Sequence, residues 1–133
     1  MMVRIGLMLA VLGCSPLFAT PLEFEPVVME LSGTISVETH YGPPTFGERP
    51  SEDVVEKIPF LILDDPIDIV ANKSSGSNID SFCRVNRIQL NGPNAARLVN
   101  LSGRHVKLTG RLFEGHGGES YAEVSMDVME YLN

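Results

Sequence analysis

The chain has 133 residues, enough for one domain with a single small core, and its 17 acidic against 10 basic residues give a formal net charge of −7. That balance argues against a phosphate backbone as the partner, because affinity for nucleic acid rests on Lys and Arg displacing counterions. It suits ordinary surface solvation, or a protein that meets a cationic partner.

The first 19 residues read as an export signal. Arg4 gives a short basic start. Residues 5–13 form an apolar run too short to span a bilayer as a mature helix. Ser15-Pro16-Leu17-Phe18-Ala19 resembles a signal-peptidase region with the cut after Ala19, although Leu17 is large for its position. Val11-Leu12-Gly13-Cys14 offers a second reading, a bacterial lipobox that leaves a lipid anchor on Cys14. The first reading places the protein in the periplasm or medium, the second makes it an outer-membrane lipoprotein. Cleavage after Ala19 leaves about 110 residues, with 9 basic against 17 acidic residues and a net charge of −8. No later apolar run reaches transmembrane length. The expected organisation is a signal peptide over 1–19 and one domain over 20–133. With Cys14 removed or lipidated, Cys83 is expected to be a lone, buried thiol.

Residues 27–39 alternate. Val27, Met29, Leu31, Gly33, Ile35 and Val37 take one face; Val28, Glu30, Ser32, Thr34, Ser36 and Glu38 take the other, which predicts a long half-buried strand. Gly33 in its middle predicts a bulge or sharp coil. Residues 41–53 hold Gly42, Pro43, Pro44, Gly47 and Pro50 and predict a long, partly stiff loop. An apolar strand follows over 57–63, meets a turn, bulge or edge at Asp64-Asp65-Pro66, and resumes over 67–70. Residues 72–81 are polar and read as a loop. Residues 84–90 predict a third strand with Ile88 and Leu90 on the core face. Asn91-Gly92-Pro93 then opens a short helix whose apolar stripe is Ala95, Leu98, Val99 and Leu101, and Gly103 stops it. Residues 104–113 alternate again, 115–120 form a glycine-rich turn, and 121–131 predict the last strand.

Three strands, a short helix and two strands, the first strand bent at a glycine, match the OB-fold. The fold class is all-β: a five-stranded OB-like Greek-key barrel with one short helix between strands 3 and 4. A sandwich or lipocalin-like barrel needs more strands than this.

In such a barrel the loops joining strands 1 and 2 and strands 4 and 5 flank one face. That gathers His40, Tyr41 and Phe46 from the first loop with His116, Glu119 and Tyr121 from the second. His40, His116 and Glu119 are a candidate set for a divalent metal, two imidazoles and a carboxylate, though no tight spacing such as HExxH accompanies them. The alternative is that both histidines bond to backbone. Tyr41, Phe46 and Tyr121 offer planar apolar faces, and Pro43-Pro44 stiffens the rim, a pattern suited to ligand binding or to packing the loop on the barrel. Catalysis has little behind it. There is no GxSxG elbow or P-loop, and the adjacent Asp64 and Asp65 point to opposite faces of a strand instead of facing each other across a substrate. One of them is expected to stabilise the turn before Pro66. His105 is expected to face solvent.

These residues carry a family resemblance. Thr39, His40, Gly42, Pro43 and Pro44 match a Thr-His-x-Gly-Pro-Pro pattern, Leu63, Asp64, Pro66 and Ile67 match Leu-Asp-x-Pro-Ile, and Ile88, Gln89 and Leu90 match a third block. Gly103, Val106, Thr109, Gly110, Leu112 and Phe113 match a fourth, with Leu108 in place of Val. The chain thus resembles the small exported bacterial proteins grouped as domain of unknown function 4431. The resemblance implies export and a small β-barrel, and no activity. Where relatives carry a His-Thr-Gly-His-His-His-Thr turn, this chain has His116-Gly117-Gly118-Glu119-Ser120-Tyr121-Ala122, so a metal set there is mostly lost or partly replaced by Glu119. The expected function is a non-catalytic binding module for a small ligand or another exported protein, with no resident cofactor. The alternatives are an inhibitor or immunity-type protein against a cationic exported enzyme, and a metal-binding protein.

Overall fold

The computed structural model describes residues 21–72, 76–116 and 120–132. The expected signal segment, Cys14 and Glu119 lie outside the described residues. Among the described residues there are six strands: β1 (Leu22–Glu23), β2 (Val28–Tyr41), β3 (Val55–Val70), β4 (Phe82–Asn91), β5 (His105–Glu114) and β6 (Val124–Leu132). Among the same residues two 3-10 helices accompany them, Pro50–Glu52 and Ala96–Leu101.

The long alternating strand β2 pairs antiparallel with β3 on one side and β5 on the other. β3 continues to β4 and β5 to β6, both antiparallel, and a short parallel pairing of Gln89–Asn91 with Ser125–Asp127 closes the ring. The protein is therefore an all-β, five-stranded OB-like Greek-key barrel. Leu31, Ile35, Leu61, Ile88, Leu108 and Met126 are among the side chains that fill its interior. Among the described residues no helix is long and apolar enough to cross a membrane.

Gly33 serves the purpose its position suggested. It faces Leu63 on β3 and Val106 on β5, and a Cβ there would collide with the Ile62 carbonyl, so the sheets can coil tightly only around a glycine. The Asp64-Asp65-Pro66 break is a bulge: β3 runs on to Val70 while its register with β4 slips between Ile62 and Ile67. Asp64 does not serve the local turn. Its carboxylate lies 2.7 Å from Nε2 of His105, which is exposed as expected.

Several details sharpen or correct the expected elements. The expected short helix between β4 and β5 is present in 3-10 form, burying Leu98, although no side chain caps it. The last strand begins at Val124, because Tyr121 is drawn away onto β2. β1 was not foreseen; its two residues show no alternation, yet they pair parallel with Ile69 and Val70 and lead to Phe24, only 1% exposed and edge-on to Phe82. Cys83 is exposed on β4 and disulfide-bonded, not a lone buried thiol.

Candidate functional site

The loop between β2 and β3, residues 42–54, has three prolines and so lacks three backbone donors that a hairpin would use. A side chain replaces them. The Asp53 carboxylate accepts hydrogen bonds from the Thr45 N–H at 2.7 Å, the Thr45 hydroxyl at 2.7 and 2.8 Å, and the Gly47 N–H at 2.7 Å. The Thr45 hydroxyl oxygen in turn accepts from the Arg49 N–H at 2.8 Å. At the base, Gly42 N–H donates to the Val54 carbonyl at 2.8 Å and Val54 N–H to the Pro43 carbonyl at 3.0 Å. Partial desolvation works to raise the Asp53 pKa. The bonds from the Thr45 hydroxyl and the two N–H groups outweigh it and hold the carboxyl below its ordinary range.

This braced loop presents apolar surface. Tyr41, Phe46, Val54 and Val55 are all exposed, and Tyr41 stands opposite Val55 across the ladder. Phe46 has φ of 49°, the left-handed region that glycine or asparagine usually occupies, and its N–H bonds to the Gly42 carbonyl at 2.9 Å.

Of the loop between β5 and β6, Tyr121 lies across the outer face of the barrel. Gly115 N–H to the Glu123 carbonyl at 2.9 Å closes the loop. Tyr121 is gripped from both sides: its N–H donates to Gln89 Oε1 at 2.7 Å, and its carbonyl accepts from Arg87 Nη1 at 2.9 Å. Its ring stacks on His40, with centroids 3.9 Å apart and planes 13° from parallel. His40 Nε2 in turn lies 2.9 Å from Glu38 Oε1. Arg87 donates to both Glu38 oxygens at 2.7 Å and rests 3.9 Å above the Phe60 ring.

Period-two alternation puts all of these on one outer face, Glu38 and His40 from β2, Phe60 from β3, Arg87 and Gln89 from β4. Phe60 is fully buried yet stands apart from the barrel core, because Arg87 covers it from outside. The Arg87 hydrogen bonds hold the Glu38 carboxyl below its ordinary range, against a smaller desolvation effect and with help from His40. Beside this seam runs an open groove of about 490 Å³ lined by Arg84, Asn86 and Arg87 on one wall and Ser120, Tyr121 and Glu123 on the other.

The structure thus joins the two loops through His40 and Tyr121. Tyr41 and Phe46 belong to the exposed end of the first loop. His116 takes a separate course: its Nε2 donates to the Ser77 carbonyl at 2.8 Å, and its own carbonyl accepts from the Ser120 hydroxyl at 2.6 Å. Among the described residues no hydrogen bond or ring contact joins His116 to His40, and no group of three His, Cys, Asp or Glu side chains is placed to hold a metal. Glu119, the third member of that expected set, lies outside the described residues.

Sequence reasoning missed Glu38, Asp53, Val54, Val55, Phe60, Arg87 and Gln89. Glu38 was within reach, since it is two residues before His40 on the same strand face. Arg87 and Gln89 share a face as well, but nothing local in the chain pairs them with a tyrosine more than thirty residues away.

Compared with family models, curated proteins and solved structures, the chain matches none.

Proposed function

We propose that the protein is a non-catalytic binding module of the exported kind, and that it meets its ligand with the two loops joined across the outer face of β2, β3 and β4. The observation that carries the reading is the seam itself. His40, Glu38, Arg87, Gln89 and the Tyr121 ring and backbone are tied together by hydrogen bonds and stacking, so the face serves as a rigid support. Ordering that is complete before the ligand arrives lowers the entropy lost on binding. The aromatic side chains left for contact are Tyr41 and Phe46, both exposed. The resemblance to small exported barrels with no implied chemistry agrees with this reading, and so does a surface charge suited to a soluble extracytoplasmic protein.

Oligosaccharide and peptide arrays probed with the full chain test it. The expected result is retention of one ligand class, weakened about tenfold or more by Tyr41→Ala or Phe46→Ala. Silent arrays, or binding unchanged in Tyr41→Ala, Phe46→Ala and Tyr121→Ala alike, would count against the module and its site.

A further inference from the structure

We propose that the β2–β3 loop is a rigid apolar wedge that seats in the apolar cleft of a basic protein partner. This rests on the binding-module reading and narrows it to one surface and one class of partner.

Four large apolar side chains gather at the end of one hairpin: Tyr41, Phe46, Val54 and Val55 are 42%, 51%, 56% and 57% exposed. Scattered apolar exposure is ordinary, but these four residues belong to one hairpin end, and Tyr41 and Val55 are paired directly across its ladder, a local concentration of the kind found at interaction surfaces. The loop that bears them is fastened by the Asp53 carboxylate and by backbone bonds at its base, so its shape precedes any partner. Phe46 is held in a backbone conformation that disfavours a Cβ while its ring is left half in water. Backbone strain kept at a half-exposed aromatic brings the barrel little packing in return, and such positions concentrate at binding sites.

Chemistry selects the occupant. Two of the four side chains are valines, which make no hydrogen bonds, so a sugar would leave its hydroxyls unmatched there. The rim is acidic: residues 41–57 carry Glu48, Glu52, Asp53 and Glu56 against Arg49 and Lys57. Arg49 is turned to Glu52, with Nε 3.1 Å from Oε1. An acidic rim on a chain of net charge −7 is repelled by anionic lipid headgroups and by a second copy of itself. The complementary surface is an apolar cleft bordered by Lys and Arg. Such a rim hastens encounter and the buried aromatic then sets the residence time.

A phage-displayed library of random linear and disulfide-closed peptides, selected on the intact protein, tests the surface while the natural partner is still unidentified. Selected peptides should combine aromatic or aliphatic residues with Lys or Arg. Their affinity should fall about tenfold or more against Phe46→Ala, and several-fold between about 50 mM and about 300 mM salt. Asp53→Ala leaves every exposed apolar side chain in place and should weaken the same peptides by loosening the loop. Circular dichroism on each variant confirms that the barrel is intact, and Phe46→Asn serves as a second removal of the ring that the backbone accommodates. Peptides that bind Phe46→Ala and Phe46→Asn as tightly as the native protein, or that are rich in Asp and Glu, overturn the wedge but leave the binding-module reading standing. A library that yields no binder on any face overturns both.

Discussion

Phe46 sits where a side chain with a Cβ is normally unwelcome, and its neighbours hold it there. With φ of 49° its backbone conformation costs about 1–2 kcal/mol for an ordinary residue, less for asparagine and most for a β-branched side chain. The ring is half exposed, so little burial offsets that cost. Replacement should therefore follow backbone preference instead of hydrophobicity. Phe46→Asn is expected to be at least about 1 kcal/mol more stable than Phe46→Val, as read from urea unfolding midpoints at equal m-value. The reverse order would mean that the loop relaxes freely and that Asp53 does not define its shape. Glu38 shows the same dependence on neighbours. Its identity as an acid was plain in the chain, but its bidentate hold on Arg87 joins strands far apart in sequence and could not be read from either residue alone.

Strands that bury one face announced themselves, and segments held by single contacts did not. β5 alternates over its whole length and β2 over residues 28–35, because each presents one side to the core there, and both were readable as strands from that period. The bulge in β3 was readable as an interruption, since Pro66 withholds a donor, but not as one the strand survives. The segment after β5 looked like strand from Tyr121 onward because Tyr121 and its neighbours alternate. A ring stack on His40 and two side-chain bonds, from Arg87 and to Gln89, outweigh that pattern and bend it across the barrel. β1 has only two residues and no period to detect. Its place is set by Phe24, which packs edge-on to Phe82 and enters the core cluster. The pairing of the two loops on one face followed from strand order. Which side chains would be consumed in that pairing, and which left exposed, depended on contacts that only the fold creates.

For the whole molecule, its carboxylates determine how stability responds to acid. Glu38 and Asp53 titrate below the ordinary range in the folded state, so each contributes stability that is present above its unfolded pKa and lost as pH falls through the folded one. Glu114 works in the opposite sense. Desolvation raises its pKa, with Asp80 beside it adding to the effect, so the folded state holds its proton more firmly and gains relative stability as pH falls through that raised value. The excess of 17 acidic over 10 basic residues also repels itself less as acid is added. The sum is a stability that holds or rises from neutral pH into the weakly acid range and declines below about pH 4, the ordinary carboxylate range. Urea midpoints measured across that range check it. Arg87→Met should blunt the fall by removing the main cause of the Glu38 shift, and a monotonic loss from neutral pH downward would contradict the assignment.

A recognition surface formed before its partner arrives requires the β2–β3 loop to be as ordered as the strands that carry it. Backbone ¹⁵N relaxation on the free protein measures this without any ligand. Order parameters for residues 42–54 should match the barrel strands at about 0.85, and should drop in Asp53→Ala while the strands stay unchanged. Values below about 0.6 across that loop in the native protein would mean that the apolar tip is a flexible surface segment and not a wedge.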